Sequence, residues 1–199
     1  HLCHFDIPLL SNIPNLVYLA PTNREEYLAM LDWSLSYREH PVAIRVPVGV
    51  TLPATRPVPT DYSALNTYEV VERGKDVAIL ALGNFFSLGE RVCRLLEAQG
   101  IRATLINPRY ISGVDCDLLD SLATDHRLVV TLEDGALNGG FGEKIARHFG
   151  ATGVKTLCYG AKKQFADRYA PKEFLAANRL VDTMIVEDIM KHSQGKLER

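Results

Sequence analysis

No stretch of the sequence approaches the roughly 18 consecutive apolar residues of a membrane span. Nothing in it resembles a charged, apolar, small-residue secretory signal either. The expectation is a soluble protein. Cysteine is scarce: Cys3, Cys93, Cys116 and Cys158 lie far apart and form no C-x-x-C pair. That argues against a zinc site or a disulfide framework and for reduced cytosolic thiols. Excess positive charge is missing as well, because 22 Lys and Arg stand against 24 Asp and Glu for a net −2. Without that field nucleic acid is not an expected partner, and Lys162-Lys163 is too short a basic run to change this. No internal repeat is visible. An initiator Met is absent, and the opening residues read as the middle of an element, so the expectation is a carboxy-terminal piece of a larger α/β enzyme.

What is present is a globular composition, 47% hydrophobic over 199 residues, enough for one large domain or one and a half ordinary ones. Leu16–Ala20 reads as a strand. Thr22-Asn23-Arg24-Glu25 fits a capping box, and Tyr27, Leu28, Leu31 and Leu35 recur at helical spacing. Val42–Val46 reads as a second strand, giving a βαβ unit whose parallel sheet needs more strands than this segment supplies. Between Thr51 and Tyr62, Pro53, Pro57 and Pro59 mark a stiff linker. From Thr67 a second series alternates strands at 75–82, 102–106, 128–132 and 154–159 with helices at 87–99, 117–124 and 143–149, and helical segments close the chain. That alternation predicts a mostly parallel, doubly wound α/β sheet.

Three segments carry candidate chemistry. His1-Leu2-Cys3-His4-Phe5-Asp6 places imidazoles, a thiol and a carboxylate close together, but it lacks a fourth ligand for a metal site. Glu133-Asp134-Gly135 through Gly139-Gly140-Phe141-Gly142 leaves a strand and enters a helix. Such a turn cradles an anion on backbone N–H groups or else serves close strand-to-helix packing. It has neither the G-x-G-x-x-G spacing nor a P-loop lysine. Pro41–Gly49 is an apolar strand with one cation, Arg45, which needs a partner or points into a site at the strand's carboxyl end.

Taken in order, His1 with Phe5-Asp6, Ile13–Val17, Ala20–Asn23, Pro41–Gly49, Ile106–Ile111, Val129–Asp134 and Gly139–Gly142 resemble the thiamine-diphosphate-dependent transketolase superfamily, and within it the 1-deoxy-D-xylulose-5-phosphate synthases. The resemblance spans nearly the whole chain. It implies that residues 1–50 end a pyrimidine-binding domain, 51–64 form a linker and 65–199 form a transketolase-type C-terminal domain. It also implies thiamine diphosphate and Mg²⁺ as cofactors, held mostly outside this chain. Pyruvate and an aldehyde phosphate such as glyceraldehyde 3-phosphate are the implied substrates, and a cytoplasmic homodimer the implied assembly. His1 takes the place of the family's catalytic histidine, a group suited to moving protons near neutrality. Asp6 and Arg45 take substrate-binding places.

Two departures matter. Leu2-Cys3 replaces the usual Gln-Gly after that histidine, and Val48 stands where the family has an arginine that grips the acceptor phosphate. Val48 makes no charge-assisted contact, so His4 is the candidate substitute. The chain alone is expected to be inactive. Two alternatives remain: the C-terminal subunit of a split transketolase, and a non-catalytic dimerisation or anion-binding module.

Overall fold

The structure, a computed structural model, describes residues 4–47, 52–164 and 170–194. It begins with a short helix, α1 (Asp6–Leu10), that the sequence pattern does not reveal. Strand β1 (Val17–Leu19), helix α2 (Arg24–Ser36) and strand β2 (Val42–Ile44) follow, and β1 and β2 pair in parallel, as the βαβ reading expects.

Helix α2 differs from expectation in its cap and its face. Asn23, not Thr22, is the extended cap residue, accepting from Glu26 N at 2.8 Å. The Glu26 carboxylate turns back to accept from Thr22 N and Oγ1, so the box lies one residue further along. The buried face is Glu26, Met30 and Trp33, with Trp33 stacked on Tyr37 at 4.5 Å. The leucines that suggested the core face point outward, Leu28 at 52% exposure and Leu35 at 67%. Both sets recur at helical spacing, and periodicity alone does not say which one meets the core.

The second part holds β3 (Glu69–Glu72), β4 (Asp76–Ala81), a 3₁₀ turn (Gly83–Phe85), α3 (Phe86–Glu97), β5 (Thr104–Asn107), α4 (Cys116–Asp125), β6 (His126–Ala136), α5 (Phe141–Phe149), β7 (Lys155–Ala161), α6 (Pro171–Ala177) and α7 (Asp182–Gln194). Its five-stranded sheet runs β3-β5-β4-β6-β7 and is parallel except for the edge strand β3. The fold is therefore the doubly wound α/β type the alternation predicts. The sequence reading missed β3, whose Glu-Val-Val-Glu is short and charged at both ends, as edge strands often are. It also ended β6 at Leu132, whereas that strand continues through Glu133 and Asp134 to pair Ala136 with Ala161.

Strand β4 shows why the sheet is covered on both faces. Val77, Ile79 and Ala81 point to a layer with Val92 and Leu96 of α3 and Ile185 and Ile189 of α7. Ala78 and Leu80 point the other way, to Phe141 and Ile145 of α5. That second layer does not stop at the second part. It runs on through Tyr62 and Tyr110 to Ile7, Tyr18, Leu19, Met30 and Trp33. Fully burying each large side chain there stabilises by roughly 1.5–3 kcal/mol, so the proline-rich segment crosses a compositional boundary without dividing the core.

The backbone joins the two parts too. Ala20 N donates to Arg109 O at 2.7 Å, Ile111 N donates to Tyr18 O at 2.7 Å, and Leu19 bridges Tyr110. These bonds occupy the edge of β1 away from β2. The segment expected to be a linker is itself tied down. Leu52 O accepts from Arg24 N, the Glu25 carboxylate accepts from Ala54 N, and Arg56 lies 4.7 Å over the Phe86 ring.

Candidate functional site

The carboxyl ends of β2 and β6 face each other, which puts Arg45, just past β2, against Asp134 near the end of β6. Arg45 Nε donates to Asp6 Oδ2 at 2.6 Å, and another guanidinium nitrogen donates to Asp134 O at 2.6 Å. A third nitrogen lies 3.6 Å from Asp134 Oδ2. Asp6 also accepts from Tyr18 OH at 2.9 Å, and the Asp134 carboxylate accepts from Asn84 at 3.2 Å. Burial works against the Arg45 charge, but the paired carboxylates outweigh it and hold its pKa above the usual arginine value.

His4 borders this cluster. It is 5% exposed and its ring stacks on Phe174 at 4.7 Å. Burial lowers its pKa, with Asp134 and Asp6 opposing and Arg45 assisting. Neutral imidazole is therefore the favoured form near pH 7.

The glycine-rich turn is occupied from within. Glu133 is fully buried, and its carboxylate accepts from Phe141 N at 2.9 Å and Gly142 N at 2.8 Å, the first amides of α5. The place where a helix start would take an external anion is thus filled by the chain's own carboxylate. Burial pushes the Glu133 pKa up to about 7 even though both amides and Arg45 pull it down. The glycines make room for this arrangement. A Cβ on Gly140 would fall 2.5 Å from Glu133 Oε2, one on Gly142 2.6 Å from Thr131 Oγ1, and one on Gly135 2.8 Å from Ile7 Cδ1. Of the two readings of this turn, close strand-to-helix packing is the one the geometry carries.

A second polar cluster stitches α2 to the end of β5. Glu26 is 2% exposed and accepts from Arg109 Nε at 2.9 Å and from Asn107 Nδ2 at 3.1 Å, besides Thr22. Arg109 also donates to Glu69 at 2.6 Å and holds a left-handed backbone, φ 60°.

The structure brings His4, Asp6 and Arg45 into one cluster, while His1 and Val48 lie outside the described residues. Asp134, Tyr18 and Asn84 belong to the cluster and were not anticipated. Only the placement of Asp134 at the carboxyl end of a central strand offered a signal. Cys93, Cys116 and Cys158 are free thiols. Among the described residues no group of three or more His, Cys, Asp or Glu is placed to hold a metal ion, and no helix is long and apolar enough to cross a membrane. Glu133 and Asp134 are already committed to internal partners, so the described part of this chain does not offer a ligand set for Mg²⁺.

Comparison with known proteins agrees with this fold. The family described as transketolase, C-terminal domain, matches residues 66–185. The 1-deoxy-D-xylulose-5-phosphate synthase of Gloeothece citriformis is 32% identical over 197 residues, covering 96% of this chain and 31% of the relative. That of Heliobacterium modesticaldum is 36% identical over 150 residues, covering 75% and 23%. The chain thus spans about a third or less of these relatives. Among solved structures, a split gene transketolase described as an inactive beta4 tetramer superposes with a TM-score of 0.77 at 26% identity, over 95% of this chain and 61% of that one. A transketolase from Campylobacter jejuni superposes at 0.73 with 15% identity over 95% and 28%, a likeness of fold alone.

Proposed function

Because the chain belongs to the transketolase C-terminal domain family, we propose that it is the C-terminal subunit of a transketolase-type enzyme divided over two polypeptides, silent alone and completed by the cofactor-binding partner. The observation that carries this reading is the unfinished first part. Among the described residues β1 and β2 form a sheet of only two parallel strands, and Leu28, Leu31 and Leu35 of α2 face outward. Parallel sheets are stable when covered on both faces and extended on their edges, and an apolar stripe on α2 suits a docked neighbour. The likeness to a split gene transketolase over 61% of that chain supports the same reading.

The substrates we assign are pyruvate and an aldehyde phosphate, by similarity to the 1-deoxy-D-xylulose-5-phosphate synthases, with two copies of each subunit in a cytoplasmic assembly. Thiamine diphosphate with Mg²⁺, held by residues of the partner, would supply the carbon nucleophile when bound. This chain supplies the rim. His1 is assigned the proton transfers at the acceptor carbonyl. The Arg45–Asp6 pair fixes the rim's shape and presents the Asp6 carboxylate toward substrate hydroxyls. His4, held neutral by burial and stacked on Phe174, acts as a hydrogen-bonding group and not as a cation for the acceptor phosphate.

The test is to express this chain with and without the polypeptide encoded directly upstream, and to follow thiamine-diphosphate-dependent consumption of pyruvate with glyceraldehyde 3-phosphate. The expected result is no turnover by the chain alone, and a stable complex that turns over. Turnover by the chain alone, or a native polypeptide long enough to carry both parts, overturns the divided-enzyme reading.

A further inference from the structure

The end of the five-stranded sheet opposite the rim carries a cleft of about 840 Å³. It is formed where β4, β6 and β7 begin, where the chain enters β5, and where α7 ends. Among the described residues its lining holds Arg73, Lys75, Arg102, Arg127, Lys155 and Lys191, with His192 beside them, against a single carboxylate, Asp76. Among those residues two of the six cations are engaged. Arg127 lies 3.7 Å from Asp76, and Lys191 lies 2.7 Å from Glu187 and 4.0 Å from Asp188. Helix ends account for part of this charge, since α3 and α7 finish here and each brings about half a negative charge on its last carbonyls. Six cations exceed what those ends require.

We propose that this cleft binds a small compound carrying two or more linked phosphates. The convergence of cations from five separate segments on one concavity suits a multivalent anion, because each ammonium or guanidinium makes a charge-assisted contact to a different oxygen. The volume falls within the range of about 300–1,000 Å³ typical of small-molecule sites. Val77, Ile101 and Leu128 give the floor an apolar strip for the body of the ligand, and Gly100 and Gly153, where a Cβ would meet nothing within 4 Å, leave the rim open. A long nucleic acid fits less well. Outside the cleft the remaining 16 Lys and Arg face 23 Asp and Glu, so a polyanion leaving it would run onto an acidic surface. This site does not depend on the reading of the rim.

Titration calorimetry of the whole chain with inorganic tripolyphosphate, with ATP and with oligodeoxynucleotides of increasing length tests the proposal. Tripolyphosphate is expected to bind, and Arg102→Glu with Lys155→Glu to weaken it by about tenfold or more, as reversal of two direct charge contacts does. Arg102→Gln with Lys155→Gln is expected to weaken it less, while Lys162→Glu with Lys163→Glu, outside the cleft, leaves it unchanged. ATP binding more tightly than tripolyphosphate places an organic body on the apolar strip; equal affinity assigns recognition to the phosphates alone. Absence of binding, equal weakening by the Lys162 and Lys163 changes, or affinity that climbs with oligonucleotide length overturns the proposal.

Discussion

Glu26 and Arg109 form a 2.9 Å ion pair across 83 positions of sequence, one on α2 and the other just past β5. Glu26 is almost wholly buried and takes further hydrogen bonds from Thr22 and Asn107, so the pair is a shared hub of two layers, not a surface contact. Removing Glu26 leaves Arg109 with Glu69 alone and takes the acceptor from Thr22 and Asn107. Glu26→Ala is expected to destabilise the chain by about 2–4 kcal/mol, a drop in Tm of about 10 °C for a chain of this size. A double-mutant cycle with Arg109→Ala checks it, and additive losses would show that the two side chains are not coupled.

The rim predicts a ranking. Arg45→Met leaves Asp6 and Asp134 facing one another without their cation, whereas Asp6→Asn leaves Arg45 with Asp134 still in reach. The first is expected to cost about 2–4 kcal/mol and the second about half as much. Urea unfolding of both variants measures the order, and a reversed order would place the main support of Arg45 elsewhere.

Glu133 predicts a pH dependence. Its folded pKa is raised to about 7, above the 4.5 of an exposed glutamate, so the folded state holds a proton that the unfolded state releases. The stability this group provides is complete below about pH 4.5 and is lost as pH rises toward 7, by roughly 3 kcal/mol in all. Glu133→Gln should remove that downward slope. Thermal unfolding of both proteins from pH 4.5 to 7.5 checks it, and parallel profiles would refute the assignment.

The turn before α5 predicts a steric cost. Gly142→Ala sets a Cβ 2.6 Å from Thr131 Oγ1 and 3.0 Å from Cys158 Cβ, which is expected to destabilise by about 1–3 kcal/mol. Adding Thr131→Ala should recover part of it, measured by the same unfolding assay.

The outward stripe of α2 predicts separation of folding from assembly. Leu31→Glu is expected to change stability by about 0.5 kcal/mol or less, as surface substitutions do, and to weaken association with the upstream polypeptide at least tenfold. Sedimentation of the mixture reads the second effect, and circular dichroism melting of the chain alone reads the first.

The alternating pattern of strands and helices was legible because apolar patterning is a local property, and the short apolar runs Val77–Ala81 and Val129–Leu132, too short for helices and rich in β-branched residues, read as buried strands. The side of α2 that meets the core was not legible, since Leu28/Leu31/Leu35 and Met30/Trp33 both keep the helical period. Residues distant in sequence decide between them, Tyr62 by packing on Trp33 and Tyr110 by joining the same buried layer. Arg45 could be recognised as a cation needing a partner, but its partners come from α1 and β6, and sequence carries no sign of a contact 89 residues away. Glu133 was hidden for a related reason. A carboxylate that folds back to cap the helix after its own strand reads, in sequence, like a turn awaiting an anion.

The shared layer of Tyr18, Met30, Trp33, Tyr62 and Tyr110 has a consequence for the proline-rich crossing beside it. A protease site engineered between residues 52 and 61 and then cut would break the covalent path between the first helices and the five-stranded sheet, yet the Glu26 hub and the aromatic contacts would remain. The two pieces are expected to elute as one particle and to part only in denaturant, so an intact polypeptide between residues 52 and 61 is a convenience of synthesis rather than a requirement of the folded state.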